Sequence, residues 1–307
     1  MSTSTSVDAP VRLSCEVSAQ AGEPLAGTAL RTDVWLLLEY AAPWGAKAYE
    51  ESDLPEAVRA HLDRALAALP NSRMQFIKRE SSPAPGGAAA FYVALSREQP
   101  ALYRFDLAEL DDLLGLDIPA IAAGAPAYDA HHSAETLYLV CTNAKRDACC
   151  ALRGLPLYRQ LRALAGDAVW QITHIGGHRF AGTLVCLPAG VYYGRVDEAD
   201  AAALVAAHGR GDLYLERCRG RCIYEQPAQF AELYIRAQTG ITALAGLRLS
   251  RFEPEAGGCV AQFTADGALH TVRLAEERSA FQVYESSTSP EPMHVKQYRV
   301  LDYQVTG

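Results

Sequence analysis

The chain has 307 residues, half of them hydrophobic and about a fifth charged, with a formal net charge of −8 and a mean hydropathy near zero. That supplies a sizeable core and excludes the global basic excess of a protein whose main partner is nucleic acid or an anionic membrane. The start lacks a secretory or mitochondrial targeting pattern, and the longest apolar runs are strand-sized, so a cytoplasmic protein with no membrane partner is expected.

In chain order, Val34 to Glu39 reads as a strand, Leu54 to Leu69 as a helix and Met74 to Lys78 as a strand. Phe91 to Leu95 and Tyr103 to Phe105 suit a strand pair, and Leu107 to Leu114 a helix. Ile118 to Ala134, rich in alanine and glycine with Pro119 and Pro126, reads as a linker. Leu137 to Val140 is a short buried strand, and Thr142 to Asp147 a polar loop. Helical spacing begins at Leu155, which puts Pro156 in a first turn and Cys150 just before the helix.

Ala168 to Thr173 reads as the next strand, and Gly176-Gly177 as loop. Thr183 to Leu187 and Val191 to Gly194 form a hairpin around Pro188-Ala189-Gly190. Asp197 suits the cap of a helix running to Ala207, and Pro227 to Gln238 suits another. The order β-α-β-β-β-α fits a small thioredoxin-like sheet, and the N-terminal third repeats it. Beyond Ile241 the chain is β-rich, with Asp266-Gly267 as a hairpin turn and Val300 to Val305 as a final strand. The expected fold is therefore α/β: a degenerate thioredoxin-like copy over 1–125, a central thioredoxin-like domain over 126–240, and a β-rich region over 241–307.

The eight cysteines are too few and too irregular for a secreted disulfide framework, so metal binding or redox chemistry is expected. Four residues stand apart: Cys141 and Cys150 in C-x8-C, then His174 and His178 in H-x-G-G-H. Each lies at a strand end or a helix start, positions that share one edge of such a sheet. Thiolates are soft ligands for iron–sulfur clusters, and imidazoles suit iron or zinc. Gly176 and Gly177 let the backbone pass close to a bulky group, and their amides could donate to it. Arg179 is a further candidate donor.

The run from Leu137 to Val196 resembles the sucrase/ferredoxin-like family, carried by Cys141-Thr142-Asn143-Ala144-Lys145-Arg146-Asp147-Ala148-Cys149-Cys150 and by His174-Ile175-Gly176-Gly177-His178-Arg179-Phe180-Ala181-Gly182. Trp35 to Glu39 and Pro43-Trp44-Gly45 add to it. The resemblance implies a thioredoxin-like ferredoxin with a bis-histidinyl [2Fe–2S] cluster, the cysteines on one iron and the histidines on the other. It favours a one-electron carrier over an enzyme, and no catalytic residues are assigned. No carboxylate pair supports glycoside cleavage.

Other readings stand beside this one. Cys2His2 is also zinc chemistry, although the spacing fits neither a finger nor a ribbon. Cys149 could replace Cys150 as ligand, and Cys149 or the Cys218/Cys222 pair could serve a thiol–disulfide oxidoreductase. Between Cys141 and Phe180 there are six basic and two acidic residues, Lys145, Arg146, Arg153 and Arg179 among them, which suits docking of an acidic redox partner. No nucleotide-binding glycine loop is present, so a separate reductase must supply the electron.

Overall fold

Strand β1 (Val34–Glu39) is buried along its whole length, as is β5 (Leu137–Cys141). Continuous apolar runs of this kind belong inside a sheet covered on both faces. The computed structural model describes residues 12–83 and 88–307. It places both strands in one nine-stranded mixed sheet of order β4-β3-β1-β2-β6-β5-β7-β8-β9.

The elements run as α1 (Ser14–Gln20), β1, α2 (Glu56–Ala68), β2 (Ser72–Lys78), β3 (Ala89–Leu95), β4 (Ala101–Leu107) and α3 (Ile118–Ala122). Then come β5, α4 (Ala148–Ala165), β6 (Val169–Ile172), β7 (Leu184–Leu187), β8 (Val191–Tyr193), α5 (Ala201–Gly209), β9 (Cys218–Arg221) and α6 (Gln226–Thr239). In each half a parallel pair around one helix, β1 with β2 and β5 with β6, carries an antiparallel hairpin on its other side. The halves meet where β2 and β6 pair antiparallel, through Ile77–Ile172 and Lys78–Gln171. The repeated β-α-β-β-β order thus appears as two mirrored runs of strands in one sheet.

A separate antiparallel sheet, β10 (Arg248–Glu255), β11 (Gly258–Ala265), β12 (Ala268–Arg278) and β13 (Lys296–Thr306), follows in simple order. Its apolar face, with Cys259, Ala261, Phe263, Val272 and Leu274, packs on Ala228, Ala231 and Ile235 of α6. The β11–β12 turn is Asp266-Gly267, with φ of 49° and 82°, the left-handed pair that a two-residue hairpin demands.

Three expectations need correction. Leu107 to Leu114 is not an α-helix; it ends β4 and then forms a 3-10 turn over Leu110–Gly115. The linker contains α3 and a second 3-10 turn, Pro126–His131. Helix α4 starts at Ala148, not Leu155, so Pro156 lies inside the helix and Cys150 in its first turn. Asp147 explains the early start: its carboxylate accepts from the Cys149 amide (2.9 Å) and caps the helix. Pro156 has no amide hydrogen to give the Leu152 carbonyl, which is the one helix bond it removes.

Candidate metal centre

Cys141 is the last residue of β5, and Cys150 sits in the first turn of α4, both 2% exposed. The close approach of helix to strand depends on Gly154. A β-carbon there would lie 2.2 Å from the Cys141 carbonyl oxygen, so any side chain would push α4 away from β5. His174 follows β6, and His178 lies one Gly-Gly turn later in a short 3-10 turn. Gly177 has φ of +74°, the left-handed conformation that glycine adopts without strain.

The N-terminal half carries none of the four candidate ligands, yet it holds the loop that carries two of them. Thr173 donates to the Phe76 carbonyl (3.0 Å) and accepts from the Phe76 amide through its hydroxyl (3.1 Å). Arg73 of β2 donates to the carbonyls of Ile175 (3.2 Å) and His174 (3.5 Å).

Three of the four predicted ligands come together. The Sγ atoms of Cys141 and Cys150 lie 4.0 and 3.9 Å from His174 Nδ1, and one ligand atom from each residue falls within 4.8 Å of the others. His178 stands next to this group, its ring centroid 5.0 Å from that of His174. Its Nε2 contacts the carbonyl of Glu285, which can only accept, so Nε2 carries the proton and Nδ1 keeps its lone pair. That Nδ1 is buried and has no hydrogen-bond partner among the described residues.

Two thiols gathered around one imidazole, with a second imidazole nitrogen left unpartnered next to that ring, is a donor set of the kind that suits a soft metal. The residues present fit a bound metal or cluster.

The protonation chemistry agrees. Cys150 can donate to Cys141, which holds the Cys141 thiol well below its usual range, with further help from His174 and the Ile175 amide against burial. The same shared proton, together with burial and the neighbouring charge of Cys141, pushes Cys150 up. The pair therefore releases one proton readily and keeps the second unless a cation takes its place. Burial, and then the neighbouring His174, push His178 down and keep it a neutral ligand.

Of the other candidates, Arg179 donates through Nε to the Glu23 carboxylate (2.8 and 3.0 Å) and lies over the Phe180 ring. Gly176 packs against Leu30, and Gly177 against the Arg219 guanidinium. Cys149 points elsewhere: its sulfur accepts from the Cys15 amide (3.3 Å) and neighbours the Ser287 hydroxyl (3.5 Å). Cys218 and Cys222 are buried reduced thiols, each pushed up to about 12 by burial. His208, in the last turn of α5, bonds the Tyr193 hydroxyl (2.8 Å).

Sequence reasoning missed the groups that close the site from the C-terminal region. Ser287 donates to both oxygens of Asp147, from its amide (2.7 Å) and from its hydroxyl (2.8 Å). Together with Glu285 over His178, this lays a short strap across one side of the site. The other side opens on a groove of about 500 Å³, where His174 is joined by Lys47, Arg73, Arg146 and Glu50. Asp147 was the one signal available, an acidic residue just ahead of a helical run; nothing marks residues 285–287.

The family model described as sucrase/ferredoxin-like matches residues 25–220. The chain is also similar to altered inheritance of mitochondria protein 32 of Eremothecium gossypii, at 35% identity over 82 residues, 26% of this chain and 24% of that one. It thus spans about a quarter of the length of this curated relative. No solved structure matches. The strap lies outside the span that the family model matches.

Proposed function

The chain belongs to the sucrase/ferredoxin-like family, and from that premise we propose that it is a one-electron carrier whose Cys141, Cys150, His174 and His178 hold a [2Fe–2S] cluster. The observation that carries this reading is the meeting of two buried sulfurs with the Nδ1 of His174, next to a second imidazole, His178, whose own Nδ1 is buried without a partner among the described residues. Bound there, such a cluster supplies a single reversible electron site, at a higher potential than four thiolates would give.

The chain's own residues set the conditions. Cys141 and Cys150 are buried and exclude water. Asp147 and the Glu285 carbonyl orient His178, the carboxylate oxygen 4.0 Å from Nε2, and fix its tautomer. His174 turns Nδ1 inward and lines the open groove, so its ring is the one able to exchange a proton with solvent. Lys47, Arg73 and Arg146 around that groove outnumber Glu50 and favour an acidic reductase or acceptor.

A specific observation favours a second reading. Separations of 3.9 and 4.0 Å are a few tenths longer than the edges, roughly 3.3–3.8 Å, of a tetrahedron around one ion with bonds of about 2.0–2.3 Å, so a small contraction would make a structural zinc site. A thiol–disulfide role for Cys218 and Cys222 has less support, since burial and raised pKa values are the opposite of what a reactive thiol needs.

The electron-carrier reading predicts proton-coupled reduction. A cluster held there would become more negative on taking up an electron, which would favour proton uptake at an imidazole that reaches solvent. The midpoint potential should therefore fall as pH rises wherever the electron brings a proton with it. The slope should approach ~59 mV per pH unit, one proton per electron, because His178 Nε2 is held by a carbonyl. Potentiometric titration from pH 6 to pH 10 or so checks this, and a flat profile contradicts it.

A further inference from the structure

We propose that Arg219 is a built-in counter-cation of the metal centre: a positioning residue that braces the H-x-G-G-H loop from behind and raises the reduction potential. The inference rests on the cluster reading above.

Arg219 lies on β9 and is 1% exposed. Its hydrogen bonds all go to neutral acceptors: Nε to the Thr28 hydroxyl (3.0 Å), Nη2 to the Thr28 carbonyl (2.6 Å) and Nη1 to the Gly176 carbonyl (3.2 Å). Neighbouring arginines are treated differently. Arg221 and Arg236 share the carboxylate of Glu232 at 2.8 and 2.9 Å. Arg179 has Glu23 at 2.8 Å. Arg219 forms no ion pair among the described residues. A buried cation without a carboxylate is costly unless another negative charge lies near.

The backbone shows where that charge would be. A β-carbon on Gly177 would lie 2.4 Å from Arg219 Nη2 and 2.7 Å from Cζ, so the guanidinium packs directly on the loop between His174 and His178. Gly176, one residue earlier, accepts from the same side chain. Burial pushes Arg219 down to about 10, which still leaves it charged at neutral pH; Tyr192, then the more distant Glu23, then Cys141 act to hold it protonated. The fixed positive charge thus sits behind the loop that carries both imidazoles, where two thiolates and an added electron would concentrate negative charge.

The sign follows from Coulomb's law. One electron, supplied by dithionite in a titration at a pH high enough that the potential no longer varies with pH, makes the centre one unit more negative, and no proton moves at the imidazoles or at Arg219. A fixed cation stabilises that reduced state. A unit charge roughly 10 Å away at an effective dielectric of about 20 changes a one-electron equilibrium on the order of tenfold.

The test uses the full chain, purified anaerobically and titrated potentiometrically with EPR detection. In Arg219→Gln the reduced-to-oxidised ratio at a fixed potential should fall about tenfold, a midpoint ~59 mV lower. Arg219→Lys, which keeps the charge, should stay within about threefold of the parent. Thr28→Asp sets a carboxylate beside Nε and neutralises the guanidinium in place; it should lower the potential in the same direction even if Arg219→Gln does not fold. The exposed Arg210→Gln should change nothing.

Iron-loaded Arg219→Gln or Thr28→Asp at the parent potential overturns the inference and leaves the carrier reading standing. So does an Arg219→Lys shift as large as that of Arg219→Gln, which would mean packing and not charge. A parent chain without iron contradicts the carrier reading, and this inference with it.

Discussion

A Cys150→Ser chain should leave anaerobic purification colourless, with less than about a tenth of the parent's iron, while Cys149→Ser keeps its colour and its metal. The two residues are adjacent on α4, and a helix turns their side chains about 100° apart. Cys150 points to the site, its sulfur 3.9 Å from His174 Nδ1. Cys149 points to α1 and the strap, where the Cys15 amide donates to it at 3.3 Å. Hydrogen bonds from Cys15 and Ser287 act against burial and bring Cys149 down to about 6. That explains a conspicuous double cysteine without making both ligands. Iron analysis of the two variants decides it; loss of iron in Cys149→Ser with retention in Cys150→Ser would reverse the assignment.

The second large effect concerns the imidazoles. Each histidine-to-cysteine change replaces a neutral ligand by an anionic one, so a cluster that survives should be harder to reduce. The span between bis-histidinyl and all-cysteine centres puts the drop at roughly a few hundred millivolts for the double change. The two single variants should differ. His174 stands at the groove, where solvent screens a new thiolate. His178 is buried, with the Asp147 carboxylate 4.0 Å from its Nε2 and the Glu285 carbonyl against it. A thiolate at 178 meets like charge and no donor, so His178→Cys should lose most of its cluster while His174→Cys keeps it. Iron content followed by potentiometry separates the cases. Better loading of His178→Cys than of His174→Cys, or a potential that rises, contradicts the account.

Much of this was readable from local pattern. Val34 to Glu39 and Leu137 to Val140 are apolar enough to be interior strands and nothing else. Asp266-Gly267 admits only a tight hairpin. The two cysteines and two histidines stood out as candidates by residue type and by the glycines between the imidazoles, and three of them share one group of ligand atoms. The start of α4 did not, because the proline at 156 looked like a first turn, whereas the Asp147 cap outweighs its one missing donor. The strap was beyond sequence reasoning for a different reason. Ser287 lies 140 residues from Asp147, and Glu285 acts on His178 through a backbone carbonyl, which carries no side-chain signature. Arg219 was equally silent: its role comes from the carboxylate it lacks, which becomes visible only once its neighbours are in place.

The proposed carrier depends on what the four side chains hold. The most direct measurement is iron, zinc and acid-labile sulfide per chain on anaerobically purified protein, with visible and EPR spectra of the same sample. The account predicts about 2 iron and about 2 sulfide, a coloured oxidised form and an EPR signal on one-electron reduction. One zinc per chain, no sulfide and a colourless sample would contradict it.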